Sequence, residues 1–550
     1  MIEAQVHAQL RAYLRSKGLT AQPEDAWPHH LTLARLVARA LRLGRSALIQ
    51  VSTGGYSSRV DPDAYRLSYL MALFLWPGAS LIVAEEKTLN QLLLHTIPAL
   101  QQWLETHKPV CRVESWPSPQ FQGVGLTTPD CWLADRLSGL DQVSRSFQAS
   151  PNSQASPPSS APFPQQIPTV IEAIDDVEDW LLDYQTLTIA PGDWINLKLR
   201  YPQQSAAIQG IQIFLTHCFF QHPPNPYDAY LLEAAERERL ASLLQELDHQ
   251  GWELHLPEPW NTFHRWASPP PEALPATPLW FTLDRALGTF TLYGTDLVTT
   301  PLLKQIWAQQ PVVLLRETGD GKNRGEAPKT TDFSQRLGLE SVTKVQFLAP
   351  RQGDPIPLYL PDRLPLPNTP DYQNAALREL RRLLIFRAPT PGLTVILIQD
   401  LLLKQQVGAI LAAEFGSRVQ VDRWSELPQG VVVASWDFWL ANLHQSQPLS
   451  LLAITTLPFP SVEHPLVAAR VAYHKHQQQD WFQSFLLPQA VRDLQRAIAP
   501  IRSPRRSPSG SHSGLLALLD TRLLHRSYGQ QILNALSPIT RLNYLDPLNT

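Results

Sequence analysis

This 550-residue chain has few cysteines: Cys111, Cys131 and Cys218, far apart and odd in number. They offer no disulfide framework and no CxxC pair, and they read as small buried apolar side chains. Long apolar runs are also missing, since none approaches the ~20 residues that cross a bilayer. The N-terminus, Met1-Ile-Glu-Ala-Gln-Val-His7, lacks the apolar core of a secretion signal. A cytoplasmic protein with no membrane partner is expected. Excess charge is scarce as well: a formal net charge of −3 gives no overall attraction to nucleic acid, although a basic groove can sit inside a neutral total. His29-His30 and the pair His474 and His476 have no acidic or cysteine neighbour at ligand spacing, so no metal site is assigned.

What the chain does have is apolar mass. With 44 % hydrophobic residues and 16 tryptophans it can bury two or three cores. The 50 prolines cluster most densely at 148–168, a composition that can neither pack nor ladder, and a disordered Pro/Ser insertion is expected there. A second flexible insertion is expected at 503–513, Ser-Pro-Arg-Arg-Ser-Pro-Ser-Gly-Ser-His-Ser.

Short continuous apolar runs alternate with helical periodicity. Candidate strands are 46–51, 79–84, the start of 124–135 (a strand followed by a helix) and 310–319 in the first half, and 393–398, 430–435, 451–456 and 515–519 in the second. Candidate helices cover 3–17, 31–42, 62–76, 373–386, 400–415, 463–479 and 488–498. Gly44 is placed to stop the second of them. Apolar strands separated by helices predict an α/β fold with two doubly covered parallel sheets. A strongly helical run lies at 228–250.

Near the C-terminus the chain reads Leu457-Pro-Phe-Pro460, then Leu487-Pro-Gln-Ala-Val-Arg-Asp-Leu-Gln495, Asp520-Thr-Arg522 and Tyr528-Gly529. This order of parts resembles the second motor domain of the DinG/XPD-type (Rad3-related) superfamily 2 DNA helicases. The resemblance implies two tandem RecA-like, P-loop NTPase-type domains. The first is expected at 1–330, holding a helical insertion over about 180–275, and the second, of the helicase C-terminal type, at 331–550. It also implies ATP with Mg²⁺ as cofactor, single-stranded DNA as partner and a DNA repair or replication assembly as context. Cys111 and Cys131 fall where some members hold an iron–sulfur cluster, but four thiolates are needed, so no cluster is expected.

The residues that should carry ATP chemistry are largely replaced. Phosphoryl transfer needs a glycine loop with a lysine, acids for Mg²⁺ and water, and an arginine for transition-state charge. Where the family reads A-G-T-G-T-G-K-T, this chain reads Val51-Ser-Thr-Gly-Gly-Tyr-Ser-Ser58. Thr53, Gly54, Gly55, Ser57 and Ser58 would form the degenerate phosphate loop. Tyr56 brings a Cβ where the backbone must curl, and Ser57 stands at the lysine position. In the acidic box, Pro168-Thr-Val-Ile-Glu-Ala-Ile-Asp-Asp176, Glu172 survives, Ile171 and Ile174 replace Asp and His, and Asp175 and Asp176 lie close by. The arginine motif becomes Gln495-Arg-Ala-Ile-Ala-Pro-Ile-Arg502, keeping Gln495 and Arg502 but placing Ala499 at the first arginine; Pro500 is expected to break the backbone there. At the coupling strand, Leu315-Arg-Glu-Thr318 stands for T-S-A-T.

Glu172, Gln495 and Arg502 are therefore the candidate catalytic remnants. Thr88, on a segment resembling the family's DNA-touching helix, is a candidate nucleic-acid contact, as are Trp436 and Trp439 by stacking on bases and Arg505 and Arg506 by charge. The leading expectation is a helicase homologue that binds nucleic acid with ATP hydrolysis impaired or lost. One alternative is an active ATP-dependent 5′–3′ DNA helicase using substitutes such as Arg59 and Asp175. The other is a non-catalytic interaction scaffold.

Overall fold

The computed structural model describes residues 2–19, 27–52, 63–146, 161–249, 256–257, 259–268, 276–318, 333–347, 355–427, 429–443, 448–502, 514–542 and 544–545. Its strands in chain order are β1 Ala47–Ser52, β2 Ser80–Val83, β3 Val110–Arg112, β4 Val124–Thr127, β5 Thr169–Ile171, β6 Leu187–Ile189, β7 Ala229–Leu231, β8 Leu279–Asp284 and β9 Thr289–Gly294. They continue as β10 Val312–Thr318, β11 Thr343–Phe347, β12 Ile356–Tyr359, β13 Leu393–Leu397, β14 Val419–Val421, β15 Val431–Ala434, β16 Leu449–Ile454, β17 Leu515–Leu518 and β18 Ile539–Leu542.

Two seven-stranded sheets are parallel throughout. The first has the order β11-β1-β10-β5-β2-β4-β3 and the second β14-β15-β13-β16-β17-β12-β18. Their central strands are apolar on both faces because helices cover both. In the helix His30–Leu43, Leu33, Ala34, Val37, Ala38 and Leu41 are buried at helical spacing in the core that includes Ile49, Val51, Val313 and Leu315. Gly44, at φ 59°, ends that helix in the left-handed conformation, its N–H turned back to the carbonyls of Ala40 and Leu41. In the second sheet Leu380, Leu383, Val407 and Leu411 share a core with Ile396, Val433, Ala453 and Ala517.

The chain divides into two compact units. One comprises Met1–Asp176, Leu303–Pro458 and Gln489–Thr550 and holds both parallel sheets. The other comprises Val177–Leu302 with Phe459–Pro488. Its core is aromatic, with Trp194, Phe219, Phe263, Phe281 and Phe290 buried and Phe219 stacked on Phe281 at 3.6 Å between ring centroids.

Several expectations need correction. The insertion is not purely helical: it carries the antiparallel sheet β6-β9-β8-β7 and reaches Leu302. The helix Pro465–His476 belongs with that insertion and not between strands of the second sheet. The first sheet is completed beyond residue 331, by β11. Residues 161–168, expected to be disordered, pack: Phe163 and Ile167 are buried, and the Phe163 N–H donates to Asp135 Oδ1 at 2.7 Å. Pro500 does not break the backbone but rides in the last turn of the helix Leu487–Arg502. No described helix is long and apolar enough to cross a membrane.

Candidate functional site

Ligands of an open parallel sheet bind beyond the carboxyl ends of its strands, so the first sheet is followed to those ends. β5 leads into Glu172, whose N–H donates to the Val83 carbonyl at 3.0 Å and prolongs the pairing with β2. Ala173 follows at φ 54°, a left-handed turn costly for a residue with a Cβ. The chain then enters a 3₁₀ turn, Ile174–Asp176. That kink is why Asp175 and Asp176 leave the strand axis while Glu172 stays under it.

Glu172 is buried and fully engaged. Arg66, from the first turn of the helix Arg66–Leu75, donates its Nε to both carboxylate oxygens, at 3.2 and 3.0 Å. The Tyr69 hydroxyl, one turn on, donates to Oε1. The same guanidinium reaches Asp63 at 3.1 Å and Gln91 Oε1 at 3.2 Å. Burial pushes the Glu172 carboxyl above its usual range, against the opposing pull of Arg66 and Tyr69.

Strand β10, the coupling strand of the sequence, adds two charged groups. Arg316 Nε donates to Asp175 Oδ1 at 2.7 Å, and Glu317 accepts from the Tyr65 hydroxyl at 2.7 Å. Burial raises the Asp175 carboxyl although Arg316 opposes it. The helix Leu487–Arg502 brings two more arginines: Arg492 Nη1 lies 2.9 Å from Asp176 Oδ1 and Arg496 Nη1 lies 3.3 Å from Asp176 Oδ2. Each carboxylate of the acidic box thus has an arginine of this chain against it.

Among the predicted residues, Glu172 lies in this cluster. Gln495 and Arg502 do not. Gln495 Nε2 donates to the Ala535 carbonyl at 2.9 Å, and Arg502 Nη2 to the carbonyls of Leu536 and Ser537 at 2.7 and 3.0 Å. Both fasten the C-terminal helix Gly529–Ala535. Trp439 is fully buried, parallel to Trp424, with its indole N–H donated to the Ala497 carbonyl at 3.2 Å; Trp436 is 5 % exposed. Ser435 caps the helix Trp436–Ala441, so residues three apart on it face the same interior, and neither ring is offered to a base. Thr88 is half-buried on the helix Glu86–Gln91. Thr53, Gly54, Gly55, Ser57, Ser58 and Arg59, and likewise Arg505 and Arg506, lie outside the described residues.

The preserved C-terminal motifs are structural. Asp520, fully buried, accepts the Leu457 N–H at 2.9 Å and pairs with the Arg522 Nε at 2.9 Å, joining the Leu-Pro-Phe-Pro turn to the end of β17. Gly529 lies so near the Leu523 carbonyl oxygen that a Cβ would stand 1.9 Å from it. The residues missed by sequence reasoning are Arg66, Tyr69, Arg316, Glu317, Arg492 and Arg496. For the last two a signal existed, since arginines four apart share one helix face.

The family model of the helicase C-terminal domain matches residues 431–539. The chain is 26 % identical over 225 residues to the ATP-dependent DNA helicase YoaA of Haemophilus influenzae, covering 39 % of this chain and 34 % of that protein. It is 32 % identical over 111 residues to YoaA of Escherichia coli, 20 % of this chain and 17 % of that one. It is 30 % identical over 108 residues to the 3′-5′ exonuclease DinG of Bacillus subtilis, 20 % of this chain and 11 % of that one. The matches therefore span about a third or less of these relatives. In fold the chain is similar to S. tokodaii Xpd4, with a TM-score of 0.56 at 12 % identity over 94 % of this chain and 100 % of that one. Over residues 431–539 the chain is thus similar in sequence to the helicase C-terminal domain, over part of its length to the helicase YoaA and the exonuclease DinG, and in fold it is similar to Xpd4.

Proposed function

We propose that the chain is a DinG/XPD-like helicase homologue that binds single-stranded nucleic acid without hydrolysing ATP, serving as a non-catalytic partner in a DNA repair or replication assembly. The observation that carries this reading is the engagement of Glu172. A buried carboxylate whose two oxygens share the Arg66 Nε–H and one of which also accepts from Tyr69 is held as half of a structural ion pair, and disrupting such a pair costs about 3–5 kcal/mol. The rest of the described acidic box gives the same answer. Ile171 offers no oxygen to a Mg²⁺ ion, Asp175 is held by Arg316, and Asp176 by Arg492 and Arg496. On this reading the described residues do not fit a magnesium–nucleotide complex, and no step is routed through one. The nucleic-acid part is supported by the partial similarity to the DNA helicase YoaA.

The test is the ATPase rate of purified protein with and without single-stranded DNA, with Glu172→Gln as control for contaminating enzymes. No turnover above that control, together with salt-dependent binding of a labelled single strand, is expected. DNA-stimulated turnover that disappears in the variant would overturn the reading in favour of an active helicase. Neither turnover nor strand binding would leave an interaction scaffold.

A further inference from the structure

The helix Leu487–Arg502 is built into the second sheet's half of its unit. Ala490, Leu494, Ala497 and Ile498 are buried, and the Ala497 carbonyl accepts the Trp439 indole N–H. Arg492 and Arg496, one turn apart on it, reach instead to the first sheet. Arg492 Nη1 stands 2.9 Å from Asp176 Oδ1 and donates to the Asp175 carbonyl at 3.0 Å. Arg496 Nη1 stands 3.3 Å from Asp176 Oδ2, and its Nη2 lies 3.8 Å from Glu85. Asp176 follows β5 and Glu85 follows β2, so both carboxylates sit at the carboxyl edge of the first sheet. Asp176 is buried, which protects its pairs from screening by salt.

In nucleotide-driven switches, arginines neutralise phosphate charge and the closed arrangement lasts only while that charge is present. Here the negative charge belongs to the chain and cannot leave.

We propose that Arg492 and Arg496, bound to Asp176, form a permanent latch that holds the two parallel sheets closed without nucleotide, so that the chain grips a single strand equally well with or without ATP. This rests on the reading that the acidic cluster has lost hydrolysis. The latch takes over what the nucleotide's phosphates would otherwise do. Two arginines share one carboxylate, so opening requires every contact to break together.

The experiment uses the full chain with Cys111, Cys131 and Cys218 changed to Ser and a dye pair at Leu94→Cys and Ile385→Cys, both on exposed side chains, read by single-molecule energy transfer. The wild-type distance distribution is expected to be single, narrow and unmoved by a magnesium complex of a non-hydrolysable ATP analogue. Asp176→Arg, and separately Arg492→Asp with Arg496→Asp, should broaden it toward longer distances and weaken binding of a labelled single strand about tenfold. The three changes together should restore both. Where circular dichroism shows a charge reversal unfolded, Arg492→Gln with Arg496→Gln replaces it, with the same broadening expected. Unchanged distributions in the one-sided variants, or narrowing of the wild type on adding the analogue, would overturn the latch. ATP turnover in a latched wild type would instead overturn the proposed function and leave the latch standing.

Discussion

Arg66 and Glu172 lie 106 residues apart in sequence, yet the guanidinium Nε stands 3.0 Å from a carboxylate oxygen, both groups out of solvent. Removing one partner of a buried pair strands the other. Arg66→Ala is expected to cost about 3–5 kcal/mol of unfolding free energy, while Arg66→Met with Glu172→Met should recover most of it. Urea denaturation measures both. A double variant as unstable as the single one would show that the pair is not the source of the loss.

The pH response of Glu172 follows from its raised carboxyl. A folded-state value above the unfolded one gives stability that is full below the unfolded value, about 4.5, and is lost as pH rises through the folded one. Wild type should therefore lose stability relative to Glu172→Gln as pH climbs above about 4.5. Parallel melting curves of the two proteins across that range test it. A wild type that gains on the variant with rising pH would mean that Arg66 outweighs burial.

Trp439→Ala should destabilise by about 3–5 kcal/mol, because the ring fills the core between Trp424 and the helix Leu487–Arg502. The affinity of the still-folded protein for a single strand should not change. Denaturation midpoints and strand titrations separate the two effects, and a selective loss of affinity would restore the ring as a stacking platform.

Gly529→Ala forces a methyl against the Leu523 carbonyl oxygen. Overpacking of this kind costs about 1–3 kcal/mol or more, and the obstacle is backbone, which cannot swing aside. A lowered melting temperature is expected, and an unchanged one would show that the Arg522–His525 turn can shift.

Sequence made the central strands legible because parallel strands covered on both faces are apolar at every position, as in Leu393–Leu397 and Val431–Ala434. The edges were not legible. β11 shows Thr343, Lys344 and Gln346 to solvent and buries only Phe347, a pattern no different from a loop. β9 carried a readable signal, alternate burial along Thr289-Phe-Thr-Leu-Tyr-Gly294, and its pairing with β8 through a short turn could have been drawn from period two. Glu172 was legible from its motif. Its partner Arg66 was not, and neither was the contact of Arg492 with Asp175 across 317 residues, because nothing in a single chain's order of residues states which distant charges meet.

β1 has its ladder partners far downstream: Ala47 lies opposite Val313 on one side and Thr343 on the other. A growing chain must therefore carry that apolar strand with both edges open while the whole of Val177–Leu302 is made. At about 5–20 residues per second the wait lasts on the order of tens of seconds. An unpaired apolar edge recruits other chains. The protein is thus most exposed to aggregation during its synthesis, and slowing translation beyond β1 would lengthen that hazard while speeding it through the insertion would shorten it.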